Sequence, residues 1–315
     1  MKYSFIDLFA GIGGMRIGFE AACQEMGHES SCVFSSEWDE KCQDTYEINF
    51  GERPDGDITK IIENQFSKIK NHDVLMAGFP CQPFSNAGLR KGFNDTRGTL
   101  FHDIATILYK KRPKAFILEN VKGLRSHGKG KTLEIILKVL REDLGYFVPE
   151  PKVLNSKNFG LPQNRQRIFI VGFLESNEFS FPEPLNIPTQ VSNILNAGSP
   201  PKKYIISQKL WNSHKARKEK NKIAGKGFGY SLKYPSDEYT NTISARYYKD
   251  GAEILIKRKN HDIPRKLTPD EARQLQGFPN DFIVNKSDIQ AYKQFGNAVS
   301  VPVIKELTKN LLNFI

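Results

Sequence analysis

Along the first 175 residues, short apolar runs alternate with longer mixed stretches of helical periodicity. The runs are YSFIDLFA at 3–10, SCVFSSEW at 31–38, HDVLMAGF at 72–79, KAFILEN at 114–120 and RIFIVGF at 167–173. Nearly continuous apolar runs of this length read as buried strands. Strands alternating with helices at this spacing predict an α/β fold, doubly wound around a largely parallel sheet. GIGGMRIGFEAA, directly after the first run, predicts a glycine turn that opens a helix.

From about Phe181 to Pro201 the pattern breaks into Pro, Asn, Ser and Gly, as at a domain boundary. Beyond it, residues 225–259 mix glycine turns, aromatics and basic residues, which predicts a smaller, mixed, β-rich domain. TPDEARQLQGFP then carries the marks of a capped helix: Thr268 at the N-cap, Pro269 in the first turn, Glu271 three residues on and Gly277 as the stop. The final SVPVIKELTKNLLNFI predicts an amphipathic helix that packs back on the first domain. The expected division is 1–183, 184–283 and 284–315.

Composition adds little until charge is mapped. The chain has 315 residues, 39% hydrophobic and 26% charged, as in ordinary soluble domains. No apolar run reaches the roughly 18–20 residues of a membrane span. The N-terminus lacks a secretory pattern, so a cytoplasmic protein is expected; a monomer is expected as well. The four cysteines at 23, 32, 42 and 81 form no CxxC, which suggests neither a disulfide framework nor a metal site. The net charge of +11, however, is concentrated. Residues 201–266 hold 17 Lys and Arg against 6 Asp and Glu, leaving 29 of each sign elsewhere. A solvated basic face would account for some of this, but such concentration favours a polyanionic partner.

Ligands of open α/β sheets bind at the carboxyl ends of the strands, and three unusual features fall there. The first is the turn Gly11-Ile12-Gly13-Gly14, which lacks the GxGxxG spacing and reads equally well as a plain tight turn. Glu37, ending the second run, sharpens it, because a carboxylate there can bind a ribose diol. Asp57 can likewise receive an adenine amino group, so the set suits an adenosine-containing cofactor without specifying which. The second feature is Cys81, held between Pro80 and Pro83, whose fixed φ angles stiffen the loop. A buried structural cysteine is the ordinary alternative. The third is Glu119, after four apolar residues, where a carboxylate is costly unless paired or used. Burial raises a carboxyl pKa and suits it to donating a proton near neutral pH. Arg165 and Arg167, two apart at a strand start, are expected to aim at one face, with plain surface charge as the alternative.

Taken together, DLFAGIGG, EW, GDI, GFPCQPFS, TRGTLF, ENVKGL, QNRQRIFIVGF, RKLTPDEARQLQGFP and QFGNAVSVPV resemble, in order and across nearly the whole chain, the bacterial DNA (cytosine-5) methyltransferases. That resemblance implies S-adenosylmethionine as methyl donor and double-stranded DNA bound between two domains, with the target cytosine flipped out. Cys81 resembles the nucleophile that adds to carbon 6. Glu119 resembles the group acting on ring N3, and Arg167 the donor to the base O2, with Arg165 supporting the thiolate and phosphate end. The cofactor residues it implies are Phe9, Ala10, Gly11, Gly13, Gly14, Glu37, Trp38, Asp57, Ile58, Phe79 and Asn297. Gln82 and Ser85, beside the cysteine, are implied to touch DNA.

The variable region of that family coincides with the basic stretch. Within it, LWNSHKARKEKNKIAGKGFGY followed by TISARYYKDGAEILI resembles the recognition regions of members modifying CC-GG or CC-N-GG palindromes. Arg246 and Tyr247 then stand as candidate base readers, since arginine commonly contacts guanine in the major groove, while the lysines would meet phosphate. The resemblance implies a restriction–modification role. The alternatives are a transfer-RNA cytosine-5 methyltransferase of the same family, against which the missing Cys-Phe-Thr signature counts, and a catalytically silent DNA-binding regulator. A nicotinamide oxidoreductase is disfavoured by the absent GxGxxG.

Overall fold

The five apolar runs become neighbouring strands. The computed structural model describes residues 1–80 and 99–315. It divides them into two compact units, one of residues 1–154, 166–183 and 303–315, the other of 155–165 and 184–302.

The first unit is built on a six-stranded sheet. Its strands are β1 (Lys2–Leu8), β2 (Glu29–Ser36), β3 (Val74–Gly78), β4 (Ala115–Val121), β5 (Lys152–Asn155) and β6 (Gln166–Phe173), in the order β2-β1-β3-β4-β6-β5. β1, β2, β3 and β4 pair in parallel, and β6 runs antiparallel to β4. Among the described residues, the helices that connect them are α1 (Gly14–Glu25), α2 (Glu40–Phe50), α3 (Ile58–Asn64), α4 (Leu100–Lys111) and α5 (Lys131–Lys138). The chain steps outward from β1 to β2, then returns to β3 on the other side. The carboxyl ends of β1 and β3 therefore flank a topological switch point, where such sheets bind ligands.

One face of the sheet contributes Ile6, Leu8, Leu75, Ala77, Phe116, Leu118, Ile168 and Ile170 to a core shared with Ile104 and Leu108 of α4 and Ile136 of α5. Phe5 packs toward Phe19 of α1, with ring centroids 4.6 Å apart. Burying each such side chain contributes about 1.5–3 kcal/mol, so the strand ends are set by a rigid scaffold. The C-terminal helix α9 (Val301–Leu312) carries residues from Val303 onward in this unit. There Lys305 and Lys309 pair with Glu25 of α1. Among the described residues no helix is long and apolar enough to cross a membrane.

The second unit contains helices α6 (Gln208–Ile223), α7 (Pro269–Leu275) and α8 (Asp288–Asn297). It is much less sheet-like than its glycine- and aromatic-rich sequence predicts. Its paired strands are only β7 (Leu232–Lys233) and β8 (Leu255–Ile256), two residues each and parallel. Beside them stand isolated bridges, such as Ile205 with Arg265 and Gln163 with Thr240, and buried side-chain bonds. Gln163, fully buried, accepts the Ile243 N–H at 3.1 Å and donates to Leu275 O at 3.0 Å. Arg265 grips Glu271 through both nitrogens at 2.6 and 2.8 Å, and Glu271 also accepts the Thr268 N–H at 2.8 Å. This last bond is half of the capping box expected for α7, closed by Glu271 N–H to Thr268 Oγ1 at 3.1 Å.

Candidate active site

Strand register brings the sequence's odd residues to one edge of the first unit. Leu8 pairs with Ser36 and with Ala77, and Gly78 pairs with Glu119. The residues that follow, Phe9 after β1, Glu37 after β2 and Phe79 after β3, therefore leave the sheet at one carboxyl-end rim.

At the first position the chain turns sharply. Phe9 and Gly11 have φ of 55° and 56°, and Gly13 reaches 83°. These are left-handed values that glycine adopts without strain, and at Phe9 they cost energy that the surroundings must offset. Glu37 fixes the turn. Its Oε2 accepts the Gly11 N–H and its Oε1 the Asp39 N–H, both at 2.8 Å. The carboxyl is 7% exposed. Burial pushes its pKa upward, opposed by the N–H groups of Asp39 and Gly11. Beside it the Trp38 side chain is 76% exposed, an indole face left open to solvent.

Ala10 and Gly14 are buried parts of the same turn, and Gly14 is the first residue of α1. Asp57 has a local role: it is the N-cap of α3, accepting the Thr59 N–H at 3.0 Å, with Ile58 buried behind it. An adenosine-containing group fits what remains. The Glu37 carboxylate oxygens each accept one N–H and keep capacity for hydroxyls. A Cβ built on Gly11 meets nothing within 4 Å, so the turn's outer side is open.

On the next strands, Glu119 is 8% exposed and pairs with Arg167, whose Nε lies 3.0 Å from Oε1. Its neighbour Asn120 reaches back to β3, donating from Nδ2 to Phe79 O at 2.8 Å. Phe79, just past the end of β3, is thus tied to the strand bearing Glu119. This bond spans 41 positions of sequence, and no local pattern announces it. Cys81, Gln82 and Ser85 lie outside the described residues.

The two arginines do not share one strand face. Arg167 lies in β6, in the first unit, whereas Arg165 precedes that strand and belongs to the second. Arg165 is 2% exposed and spends its fork on main-chain carbonyls, Ile243 O at 3.1 Å, Gly296 O at 3.1 Å and Ala298 O at 2.7 Å. Five donors in a fixed plane suit it to holding three carbonyls together. Asn297, between two of those carbonyls, is the exposed last residue of α8.

Tyr247 corrects an expectation. It is not on the surface beside Arg246 but fully buried, donating to Ile254 O at 2.7 Å and accepting the Leu267 N–H at 2.8 Å. An aromatic with a hydroxyl that finds two main-chain partners is a core anchor. Arg246 itself is exposed.

A family model described as C-5 cytosine-specific DNA methylase matches residues 3–313. The chain belongs to this family. Type II methyltransferase M.SsoII of Shigella sonnei is 54% identical to this methyltransferase over 317 residues, covering 99% of this chain and 80% of that one. Type II methyltransferase M.NlaX of Neisseria lactamica is 54% identical over 98% of this chain and 96% of its own length. M.HpaII of Haemophilus parainfluenzae is 48% identical over 99% and 89%. Among solved structures, the S. pombe Dnmt2 methyltransferase aligns with a TM-score of 0.79 over 99% of both chains at 18% identity, a likeness of fold. The enzyme is a DNA cytosine-5 methyltransferase.

Proposed function

We propose that this methyltransferase modifies carbon 5 of a flipped-out cytosine in double-stranded DNA, within a CC-GG or CC-N-GG palindrome, as the modification half of a Type II restriction–modification pair. The observation that carries the catalytic reading is the register of Gly78 with Glu119, which sets the Glu119–Arg167 pair level with the end of β3, three residues before Cys81. The names of the relatives, all Type II methyltransferases, support the restriction–modification role.

Carbon 5 of cytosine is a poor nucleophile, and Cys81 supplies the remedy. Its thiolate adds to carbon 6 and the ring's electron pair moves to carbon 5. Glu119 engages ring N3 and the exocyclic amine, and Arg167 donates to O2, so that the charge arriving on the ring is met by fixed partners. S-adenosylmethionine, when bound, supplies an electrophilic methyl group on sulfonium sulfur, which carbon 5 takes. Solvent water then takes the carbon 5 proton, and the electron pair left behind restores the ring double bond and expels the thiolate. Carbon 6 is shielded in stacked duplex DNA, hence the flipped base.

Glu37 would hold the ribose hydroxyls, and Phe9, Trp38 and the backbone of Ala10, Gly11, Gly13 and Gly14 would line the cofactor site. Asp57, Ile58, Phe79 and Asn297 join this set through the family's motifs. Arg165 acts as a brace for the loops of the second unit, by its three carbonyl contacts. Gln82 and Ser85 meet DNA beside the flipped base.

DNA bearing 5-fluorocytosine at the target tests the chemistry, because after methyl transfer no proton remains to be lost. The wild-type enzyme should accumulate as a covalent, denaturation-resistant adduct, and Cys81→Ala should form none. An adduct that persists in that variant would overturn the assignment.

A further inference from the structure

Helix α6 carries Lys209, Lys215, Arg217, Lys218, Lys220 and Lys222 and buries only Trp211 and His214. Trp211 anchors its first half against Ile206 and Leu255, with the Tyr230 ring 4.8 Å away. The second half has no apolar seat, and Arg217 takes that place. Its NH1 reaches Asp250 Oδ2 at 3.2 Å, and its NH2 reaches Gly229 O and His214 Nδ1, each at 2.9 Å. A guanidinium only donates, so Nδ1 of His214 accepts, leaving Nε2–H to donate to Asp250 O at 3.3 Å. Burial would raise Asp250, but the Ala252 N–H and the Arg217 guanidinium outweigh it and hold the carboxyl below its ordinary value.

Two turns meet at this one side chain. The first, residues 245–250, presents Arg246. It is pinned at one end by buried Tyr247 and at the other by Asp250. The second, residues 224–230, presents Lys226 and Phe228, the latter 56% exposed with φ of 36°. Asn221 of α6 holds Phe228 O at 2.5 Å, and Gly229 lies so close that a Cβ there would stand 2.5 Å from Lys218 Cα. Only glycine permits that approach.

We propose that Arg217 is a positioning residue for sequence recognition, locking the Arg246 turn and the Lys226–Phe228 turn to the lysine-bearing face of α6 as one DNA-reading surface. This rests on the reading of the second unit as the part that selects the target. Phosphate contacts set where a protein sits on the duplex, and base contacts specify the sequence. Discrimination needs the two held in a fixed relation, to within a fraction of an ångström. Without the clamp, lysines and Arg246 would each still meet DNA, but no longer in register. Half-exposed ion pairs add little to folding stability, so the consequence falls on selectivity.

The experiment compares kcat/KM on duplexes carrying the site that the wild-type enzyme methylates with kcat/KM on duplexes changed at one base pair. Arg217→Met and Asp250→Asn are measured singly and together, alongside salt dependence and melting temperature. The proposal expects discrimination to fall roughly tenfold, on the scale of one lost positioned base contact. It also expects an unchanged salt slope, and a double variant no worse than the poorer single. Arg217→Lys should recover part of the loss. Unchanged discrimination in both single variants, or parallel loss on every duplex, overturns it. Arg246→Ala, run beside them, separates the two readings. If that change leaves discrimination intact, Arg246 is not the reader, whereas relaxed choice in Arg246→Ala with full selectivity in the Arg217 and Asp250 variants sinks the clamp alone.

Discussion

Arg167 holds Glu119 at 3.0 Å, Nε to Oε1, across the antiparallel pair of β6 and β4, with side chains only 19% and 11% exposed. Removing one partner of such a pair strands the other in a desolvated place. The pair also orients the carboxyl that the proposed chemistry uses. Glu119→Gln keeps shape but changes proton chemistry, and kcat should fall about 10²- to 10⁴-fold, with DNA affinity within a few-fold of wild type. Single-turnover rates beside DNA titrations decide this. A variant of near-normal rate would remove Glu119 from the mechanism.

Glu37 carries two main-chain donors, from Gly11 and Asp39. An amide in its place would set an NH2 group against one of those N–H groups and weaken any diol contact. Glu37→Gln is expected to raise the Kd for S-adenosylmethionine at least tenfold, or about 1.4 kcal/mol, while kcat at saturating cofactor stays within a few-fold. Calorimetric titration would show it, and an unaltered Kd would place the ribose elsewhere.

Asp7, in β1 beneath the glycine turn, is 1% exposed, and burial pushes its pKa up to about 7, against the opposing influence of Arg16. Between pH ~4 and ~7 the unfolded chain ionises this group and the folded chain does not. Its contribution to stability is complete below about pH 4 and declines by about 1.4 kcal/mol per pH unit, roughly 4 kcal/mol in all, as pH rises through the folded value. Asp7→Asn cancels this slope. Relative to wild type, it should gain stability at pH 8 over pH 5 by about 2–3 kcal/mol in urea unfolding. Parallel pH profiles would mean that Asp7 is ionised in the fold.

The lysines of α6 are the expected phosphate contacts. Lys218 sits 4.4 Å from the centre of the Tyr230 ring, and Lys220 and Lys222 are exposed. Neutralising all three should flatten the plot of log affinity against log salt by roughly 2–3, at about 0.9 per phosphate released. The preferred sequence should not change. An unaltered slope would return this helix to plain solvent.

Strand positions were the most legible part of the fold, because the five apolar runs fall on β1, β2, β3, β4 and β6; β2 does stop just before Glu37, whereas β4 runs two residues past Glu119 to Val121. The helix at 269–275 was readable down to its cap, since Thr268, Pro269 and Glu271 act locally. Where contacts act at a distance, local pattern failed. The four-residue β5 has too little sequence to show alternation. Tyr247 looked like a surface aromatic among basic residues, yet its hydroxyl is held by Leu267 and Ile254. Arg165 and Arg167 matched in spacing, yet only Arg167 lies in β6, because the chain passes from one unit to the other between them. The second unit's glycines and aromatics suggested strands, whereas its order comes from isolated bridges and from side chains such as Gln163 and Arg265 bonded to main chain and to Glu271.

If the proposed function holds, the enzyme methylates DNA at cytosine carbon 5 in a CC-GG or CC-N-GG palindrome. Bisulfite sequencing of a plasmid carrying all short sequence contexts, after incubation with purified protein and S-adenosylmethionine, measures it directly. Cytosines resistant to conversion should appear on both strands of those palindromes and nowhere else. Complete conversion of every cytosine, or resistance confined to contexts such as GCGC or GGCC, would contradict it.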